Sequence, residues 1–363
     1  MKPGGKGGAK RDPSSVTLKT VAEFAGVTPG TVSAVLNNSP ASRAFPQHTK
    51  NRILTAAREL NYRPNFLARS LRVKRTNTIG VITEEIGDPY GAMVISGIES
   101  HLRQRGYFFL AVAHRHDPSL LESYSQLLLQ RGVEGFITVD TSVRVAPALP
   151  TVAVAGHRRV PGVTNLILDH HVAARMVLEH LTELGHSEIA FIRGPASSSD
   201  HKDRWTALVE VAREIGLQIR PGLAFQPQGD AATPNMGHFS AKKLLSRGRP
   251  FTALVCYNDN FAIGAIRAIQ EAGLQVPADI SVVGFDDIAA AAYGNPTITT
   301  VRQPLREMGE LAAKTVLGRI ESNEAYVPEI AVKPQFVVRQ STSRSSTSLL
   351  QEGRTPTPIR VNK

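Results

Sequence analysis

The sequence is short of cysteine, of long apolar runs and, over most of its length, of net charge. Each shortage removes a class of protein. The single cysteine, Cys256, can form neither an internal disulfide nor a cysteine-cluster zinc site. No apolar run approaches the roughly 18 residues that a membrane-spanning helix needs. The segment Met1 to Ser15 is rich in Gly and Lys and has no apolar stretch, so a secretory leader is not expected and the cytoplasm is the expected compartment. Signatures of catalysis are missing too. There is no GxGxxG, no GxxxxGK[ST] and no GxSxG. His114/His116 and His170/His171 stand on no metal-binding framework. No cofactor, no metal and no enzymatic activity are expected. Residues 76–363 carry 28 basic and 28 acidic residues, whereas residues 1–75 carry 14 basic and 3 acidic, so the whole formal charge of +11 lies in that first segment. A solvated tail accounts for Lys2, Lys6, Lys10 and Arg11 but not for the ten others. The asymmetry implies a nucleic-acid-binding head on a neutral body.

Residues 1–15 lack apolar periodicity and read as a disordered basic tail. The next segment is helical. Thr17 can cap a helix with Val21, Ala22 and Ala25 on one face, Gly26 can end it, and Thr28 can cap a second helix with Val32, Val35 and Leu36 inside. A third helix, from about Pro46 to Asn61, carries the stripe Ile53, Leu54, Ala57 and Leu60, and Asn65–Arg72 can form a short fourth. From Thr78 the period changes. Short apolar runs such as Ile79–Ile82, Gly135–Val139, Ile189–Ile192 and Ile280–Phe285 alternate with amphipathic stretches of helical length. That alternation predicts parallel sheets flanked by helices, and its double start, at Ile79 and Ile189, predicts two α/β lobes. Past Arg339 the chain turns to Ser, Thr, Pro and basic residues without heptads, so 340–363 is expected to be a disordered tail that supplies no tetramer-forming coiled coil.

Helix, glycine turn and Thr-capped helix in TLKTVAEFAGVTPGTVSAVLNN make a helix-turn-helix, whose second helix enters the major groove. On that geometry Thr28, Pro29, Gly30, Thr31, Ser33 and Ala34 face DNA, and Val27, Val32 and Leu36 face the core. This segment, followed by NYRPNFLARSLR, NTIGVI, ELGHSEIAFIRGP, YNDNFAIGAI, VPADISVVGFDDI and TITTVRQP, resembles the lactose/galactose repressor (LacI/GalR) family of transcription factors over about residues 17–339. The resemblance implies an all-α helix-turn-helix head (16–63), a hinge helix and linker (64–76), and a two-lobed α/β body (77–339) like the periplasmic sugar-binding proteins. One lobe is placed at 77–168 plus 303–325, the other at 169–302 plus 326–339. It implies a homodimer on near-palindromic double-stranded operator DNA, with no membrane partner. It also implies that the hinge folds on DNA, with Leu71 as a minor-groove wedge and Ala68 letting paired hinge helices approach. Packing of Leu71 against the body is the plainer alternative. Asn37, Lys50, Tyr62, Asn65 and Arg69 complete the expected DNA contacts, Arg72, Lys74 and Arg75 add basic charge, and Arg43 lies in a loop longer than usual for the family.

For the body the resemblance implies a small-molecule effector, a sugar or sugar metabolite, bound between the lobes. Asp286 in GFDD, Asn258 and Asp259 in YND, Arg204 in DRW and Gln303 in VRQP form one wall, with Glu84, Asp88 and Tyr90 opposite. Helix capping is an equal reading for Asp259, and Asp169 and Asp287 are read as structural. Two departures from the family pattern stand out. Ala34 replaces the usual Arg, so direct base readout is poor and DNA deformability gains weight. Gly156 and His157 replace an acidic strand end, which leaves room for a phosphorylated or acidic ligand held by His157, Arg158 and Arg204.

Overall fold

A computed structural model describes residues 16–63, 70, 75–143, 148–156, 159–198, 200–229, 232–248, 250–322 and 324–345. The chain divides into two compact units, Met1–Arg75 and Thr76–Lys363.

In the first unit, α1 (Leu18–Ala25), α2 (Pro29–Leu36) and α3 (Gln47–Glu59) enclose Val21, Ala22, Ala25, Val32, Val35, Ile53, Ala56 and Ala57. Thr17 caps α1 by accepting the Thr20 amide at 3.3 Å. Gly26 then takes φ 61°, which a residue without a Cβ adopts at no steric cost, and the chain reverses into α2. The α3 stripe differs from expectation at one place. Leu54 is exposed, and Ala56 takes the inward position, because residues three and four apart, not one apart, share a helix face. The expected hinge residues Asn65, Ala68, Arg69 and Leu71 lie outside the described residues, as do residues 1–15.

The body opens with β1 (Thr78–Thr83), α4 (Pro89–Gln104), β2 (Phe108–Ala113), α5 (Pro118–Gln130), β3 (Gly135–Val139), β4 (Thr151–Val154) and β5 (Val163–Leu168). It continues with α6 (His170–Glu183), β6 (Ile189–Ile192), α7 (His201–Glu214), β7 (Ala224–Phe225), α8 (Pro234–Leu245), β8 (Ala253–Cys256) and α9 (Asp259–Glu271). Last come β9 (Ser281–Asp286), α10 (Ala289–Tyr293), β10 (Thr299–Arg302), α11 (Leu305–Glu321), β11 (Glu329–Val332) and β12 (Gln335–Val337). Two six-stranded sheets result, ordered β11-β5-β4-β3-β1-β2 and β12-β10-β9-β8-β6-β7. The first is parallel throughout, and in the second only β12 runs antiparallel. Central strands such as β1, β3 and β9 are buried along their whole length, as expected where helices cover both faces of a parallel sheet. Helices α4 and α11 cross at Gly97 and Gly309. A Cβ on either would collide with the carbonyl of the other helix, at Arg306 or Val94, so glycine is what permits this backbone contact.

Two expected boundaries are corrected. Residues 326–339 do not all belong to the second lobe. Glu329–Val332 pairs with β5 in the first sheet, and only Gln335–Val337 crosses over to pair with β10. The β5 edge of the first sheet needed a partner, and the third lobe crossing therefore falls at residues 333–334. Nor does order end at Arg339. Ser341 is fully buried, its hydroxyl donates to Val282 O at 2.6 Å, and its carbonyl accepts the Val282 amide at 2.7 Å. Ser343 O meets His186 Nε2 at 2.9 Å, and Ser345 donates to Leu184 O at 2.8 Å. The polar tail thus acts as a strap over the second lobe as far as Ser345, its short hydroxyls satisfying backbone groups that a disordered tail would leave to water. Residues 346–363 lie outside the described residues.

Candidate functional site

In the head, α2 presents its N-terminal turn. Thr28 Oγ1 accepts the Thr31 amide at 3.2 Å and lies 2.9 Å from Thr31 Oγ1, with Pro29 in the first helical turn. Thr28, Pro29 and Gly30 are exposed, and Thr31 and Ala34 half-buried. Ser33 is not on this face. It is buried beside Val32 and covered by Asn37, whose Nδ2 donates to Ser33 O at 2.7 Å. Ser33 packs inward beside Val32, and a serine bonded locally has no reach toward a groove. Asn37 and Arg43 are exposed and Lys50 half-buried. Tyr62 is half-buried against the head's core, and that burial raises its phenol pKa.

The body's candidate site is a cleft of about 340 Å³ between the lobes. In doubly wound sheets ligands gather at the carboxyl ends of strands, where the strand order reverses. The reversal lies between β1 and β3 in one lobe and between β6 and β8 in the other. Glu84 follows β1 and Asp140 follows β3. Ser198 and Asp200 follow β6, and Tyr257 and Asn258 follow β8. All six line the cleft. Three strand ends bend into the left-handed region on residues other than glycine: Asp140 at φ 45°, Ala155 at 54° and Asp286 at 105°. Such strain concentrates where a fold aims residues at a ligand.

On the second-lobe wall Arg204 is buried and tied on several sides. It pairs with Asp200, donates from Nη1 to Tyr257 O at 2.5 Å, and lies over the rings of Phe285 (3.7 Å) and Tyr257 (4.5 Å). Burial opposes its charge, but Asp200, Tyr257 and Asp286 outweigh that and hold its pKa above the usual range. Asp286 is buried, its pKa raised by burial against the opposing pull of Arg204, and Gln303 Nε2 donates to its Oδ1 at 2.7 Å. Asp200 also lies 2.6 Å from His170 Nε2, at the start of α6, one residue past the first lobe crossing. Opposite, Asp88 caps α4 by accepting the Gly91 amide at 3.1 Å, with its pKa raised chiefly by burial. Glu84 contacts His116 Nδ1 and faces Asp140. Burial first, then repulsion and a hydrogen bond from Asp140, push the Glu84 carboxyl up to about 10.

The expected residues Glu84, Asp88, Tyr90, Arg204, Asn258 and Asp286 therefore meet at the cleft, and Gln303 reaches it through Asp286. Asn258 also caps α9, accepting the Phe261 amide at 3.0 Å. Asp259 does not face the cleft. It is fully buried behind β9, accepting from Thr300 Oγ1 at 2.7 Å and from the Ile288 amide at 2.9 Å. The alternation along YND settles this: Asn258 caps the helix, and the next residue turns under it. Asp169 caps α6, and Asp287 binds Arg302 and Arg339 at 2.6 Å each. Gly156 is buried, and a Cβ there would meet Ala153 Cβ at 2.7 Å and Asn165 Oδ1 at 2.8 Å, so this backbone leaves no room for an acidic side chain. His157 and Arg158 lie outside the described residues. Missing from the sequence reading are Asp140, Asp200, Tyr257 and His116. Asp140, Tyr257 and His116 sit one to three residues past a strand end, a signal that was available once the strands were placed, whereas Asp200 lies eight residues past the end of β6.

Burial raises the Asp259 carboxyl from 3.8 to about 7. The folded body then holds a proton that the unfolded chain releases above pH 3.8, so stability from this group is present at low pH and lost as pH rises toward 7. Asp259→Asn should flatten that part of the melting-temperature profile. An unchanged slope between pH 4 and 7 would remove Asp259 as its source.

A basic helix-turn-helix head and a two-lobed α/β body with a polar cleft define a ligand-responsive DNA-binding regulator. Residues 17–65 match the lacI family of bacterial regulatory proteins, and residues 178–342 match a periplasmic binding protein-like domain. The chain is 31% identical over 335 residues to the HTH-type transcriptional repressor PurR of Haemophilus influenzae, covering 90% of this chain and 98% of that protein, and 31% identical to PurR of Aliivibrio fischeri over the same length. Among solved structures it resembles the Lac repressor dimer bound to operator and the anti-inducer ONPF, with a TM-score of 0.80 and 28% identity over 90% of this chain and 99% of that one. It also resembles the transcriptional regulator CelR in complex with cellobiose, with a TM-score of 0.66 and 27% identity over 90% and 99%. The chain belongs to the lacI family of bacterial transcriptional regulators, with a DNA-binding head and an effector-binding body.

Proposed function

We propose that the protein is a cytoplasmic repressor that binds near-palindromic operator DNA as a homodimer and changes its grip when a small ligand enters the interlobe cleft. The observation that carries this reading is the meeting of Arg204, Asp286 and Asn258 with Glu84, Asp88 and Tyr90 across one cleft, in a chain whose entire charge excess lies in its first 75 residues. Thr28, Pro29, Gly30, Thr31 and Ala34 read base edges and groove shape, and Asn37, Lys50 and Tyr62 hold phosphates. Asn65, Ala68, Arg69 and Leu71 serve as the hinge, with Leu71 as the wedge. Because α2 offers few side-chain donors, specificity leans on this hinge and on DNA deformability. The edge strand β2 leaves Phe108 71% and Leu110 39% exposed, with Leu127 of α5 also exposed, which supports a second copy covering that edge. The cleft binds its ligand without transforming it, and polyhydroxylated compounds fit its carboxylate and amide groups.

The test is operator binding with and without compounds that raise the melting temperature, drawn from sugars, sugar phosphates and nucleobases. Asp286→Ala should keep operator binding and lose the response to such a compound. A full response in that variant sinks the cleft assignment.

A further inference from the structure

The recognition helix carries no side chain suited to a guanine. Guanine presents two acceptors side by side in the major groove, O6 and N7, and a planar group with two parallel donors matches them. At the open face of α2, Thr28 and Thr31 offer one hydroxyl each, 2.9 Å apart, and Pro29, Gly30 and Ala34 offer no side-chain donor. Between Glu23 and Lys50 the sequence holds a single Lys, Arg, Asp or Glu, and that residue is Arg43. The segment that carries it is not slack. Pro40–Ala44 forms a short 3-10 helix after α2. The Ser39 amide donates to Ala34 O at 3.0 Å, so this turn is bonded to the very residue that lacks a donor. Ser42 is buried, and its amide donates to Ser39 O at 2.8 Å. Phe45, three residues on, packs against the head's core, with its amide on Ser42 O at 3.2 Å. Arg43 falls between these anchors. It is exposed and holds no hydrogen bond or ion pair among the described residues.

We propose that Arg43 reads a guanine in each operator half-site, supplying from the turn after α2 the bidentate contact that position 34 cannot make. This rests on the reading of the head as a sequence-specific DNA-binding unit. A guanidinium presents its donors in a fixed planar fork, and its charge strengthens both bonds. The root of the side chain matters as much as its tip. On a slack loop, binding would freeze the loop as well as the side chain. Here the backbone on both sides of Arg43 is already fixed by the Ser39–Ala34 bond, by buried Ser42 and by Phe45, so only the side chain remains to be ordered. The other described arginines of the head, Arg52, Arg58 and Arg63, lie on α3 or after it, not on the turn bonded to α2. A base is favoured over a phosphate because a phosphate needs only charge, which Lys50 and the arginines of α3 also bring. No other residue from Thr28 to Phe45 carries a donor pair that fits O6 and N7.

The experiment selects bound sequences from a randomised double-stranded DNA library with the full chain, with Arg43→Ala and with Arg43→Lys. Affinity for the site that the parent protein selects is then measured at several salt concentrations. The expected parent motif has a G·C pair at one symmetric position of each half-site, and both variants should lose the preference at that position alone. Affinity for the parent's site should fall roughly five- to a hundredfold per half-site, the usual discrimination of a bidentate base contact. Lysine keeps the charge without the fork, so it should not restore the preference. Both variants should melt with the parent protein, because the side chain is exposed and unpaired, and this separates lost reading from lost folding. Uniform weakening on every sequence, with a salt slope lower by about one per head in Arg43→Ala and restored in Arg43→Lys, would mean a phosphate contact and overturns the proposal. A motif shared by all three proteins also overturns it, and leaves the head's DNA reading standing without Arg43. If the parent selects no motif at all, sequence-specific DNA binding falls, and this assignment falls with it.

Discussion

Arg204→Ala should lower the melting temperature of the body by about 10 °C and abolish any response to a cleft ligand. The size follows from what the guanidinium leaves behind. Asp200 and Asp286 are both buried; Arg204 pairs with Asp200, which His170 also contacts, and its charge opposes the burial of Asp286. Removing one partner of a buried pair costs roughly 3–5 kcal/mol, because the other charge stays buried without compensation. For a domain of this size each kcal/mol moves the midpoint by about 2–4 °C. The stacked contacts with Phe285 and Tyr257 are lost as well. Arg204→Lys keeps the charge but not the planar fork that reaches Asp200 and Tyr257 O together, and should fall between the two. Differential scanning calorimetry decides the matter. A loss of less than about 2 °C in the alanine variant would mean that Asp200 and Asp286 are held by something else.

Removal of residues 1–75 should abolish operator binding and retention on heparin while leaving the body's melting temperature within about 2 °C of the full chain's. The two compact units divide at Arg75, and the body's core residues all lie beyond it. The electrostatic change is as large as a truncation can make it, since the remaining chain carries equal numbers of acidic and basic residues. Filter binding at several salt concentrations and a thermal scan check both halves. An aggregated product, or DNA affinity that survives with a salt slope, would show that the boundary or the charge argument is wrong.

Much of the architecture was legible because its signals are local. Thr17, Gly26 and Thr28 cap and punctuate the head, and buried parallel strands such as β1 and β3 read as unbroken apolar runs. The strands with the weakest local signal have polar composition or little length. In β5, Thr164 and Asn165 interrupt the apolar pattern, β10 begins Thr299–Thr300, and β7 has two residues. They are strands because their neighbours in the sheet are, and that information is not local. Helix α8 carries Pro234 and Gly237, residues usually read as breakers. Here Pro234 occupies the first turn, where no amide partner is needed, and Gly237 lies against the Phe261 backbone of α9. Ser33 and Asp259 went astray for a related reason, since which way a side chain faces depends on the element packed beside it. The acidic first-lobe wall was half-read. Glu84 and Asp88 stood out in TEEIGDPYG, whereas Asp140 needed β3 to be placed beside β1 before its role could be seen.

The chain passes between the lobes three times, after Leu168, through Gln303 and Pro304, and through Lys333 and Pro334. Three parallel tethers behave mechanically like a door hung on three pins. Sliding and twisting are opposed by at least one tether, which leaves swinging as the soft coordinate. The helix pair locked at Gly97 and Gly309 keeps the first leaf of that door stiff. A ligand then has essentially one variable to set, the opening angle. Compounds of different size and charge should fall on a single graded scale, from full to partial to opposing, and mixtures of two should act as their occupancy-weighted average.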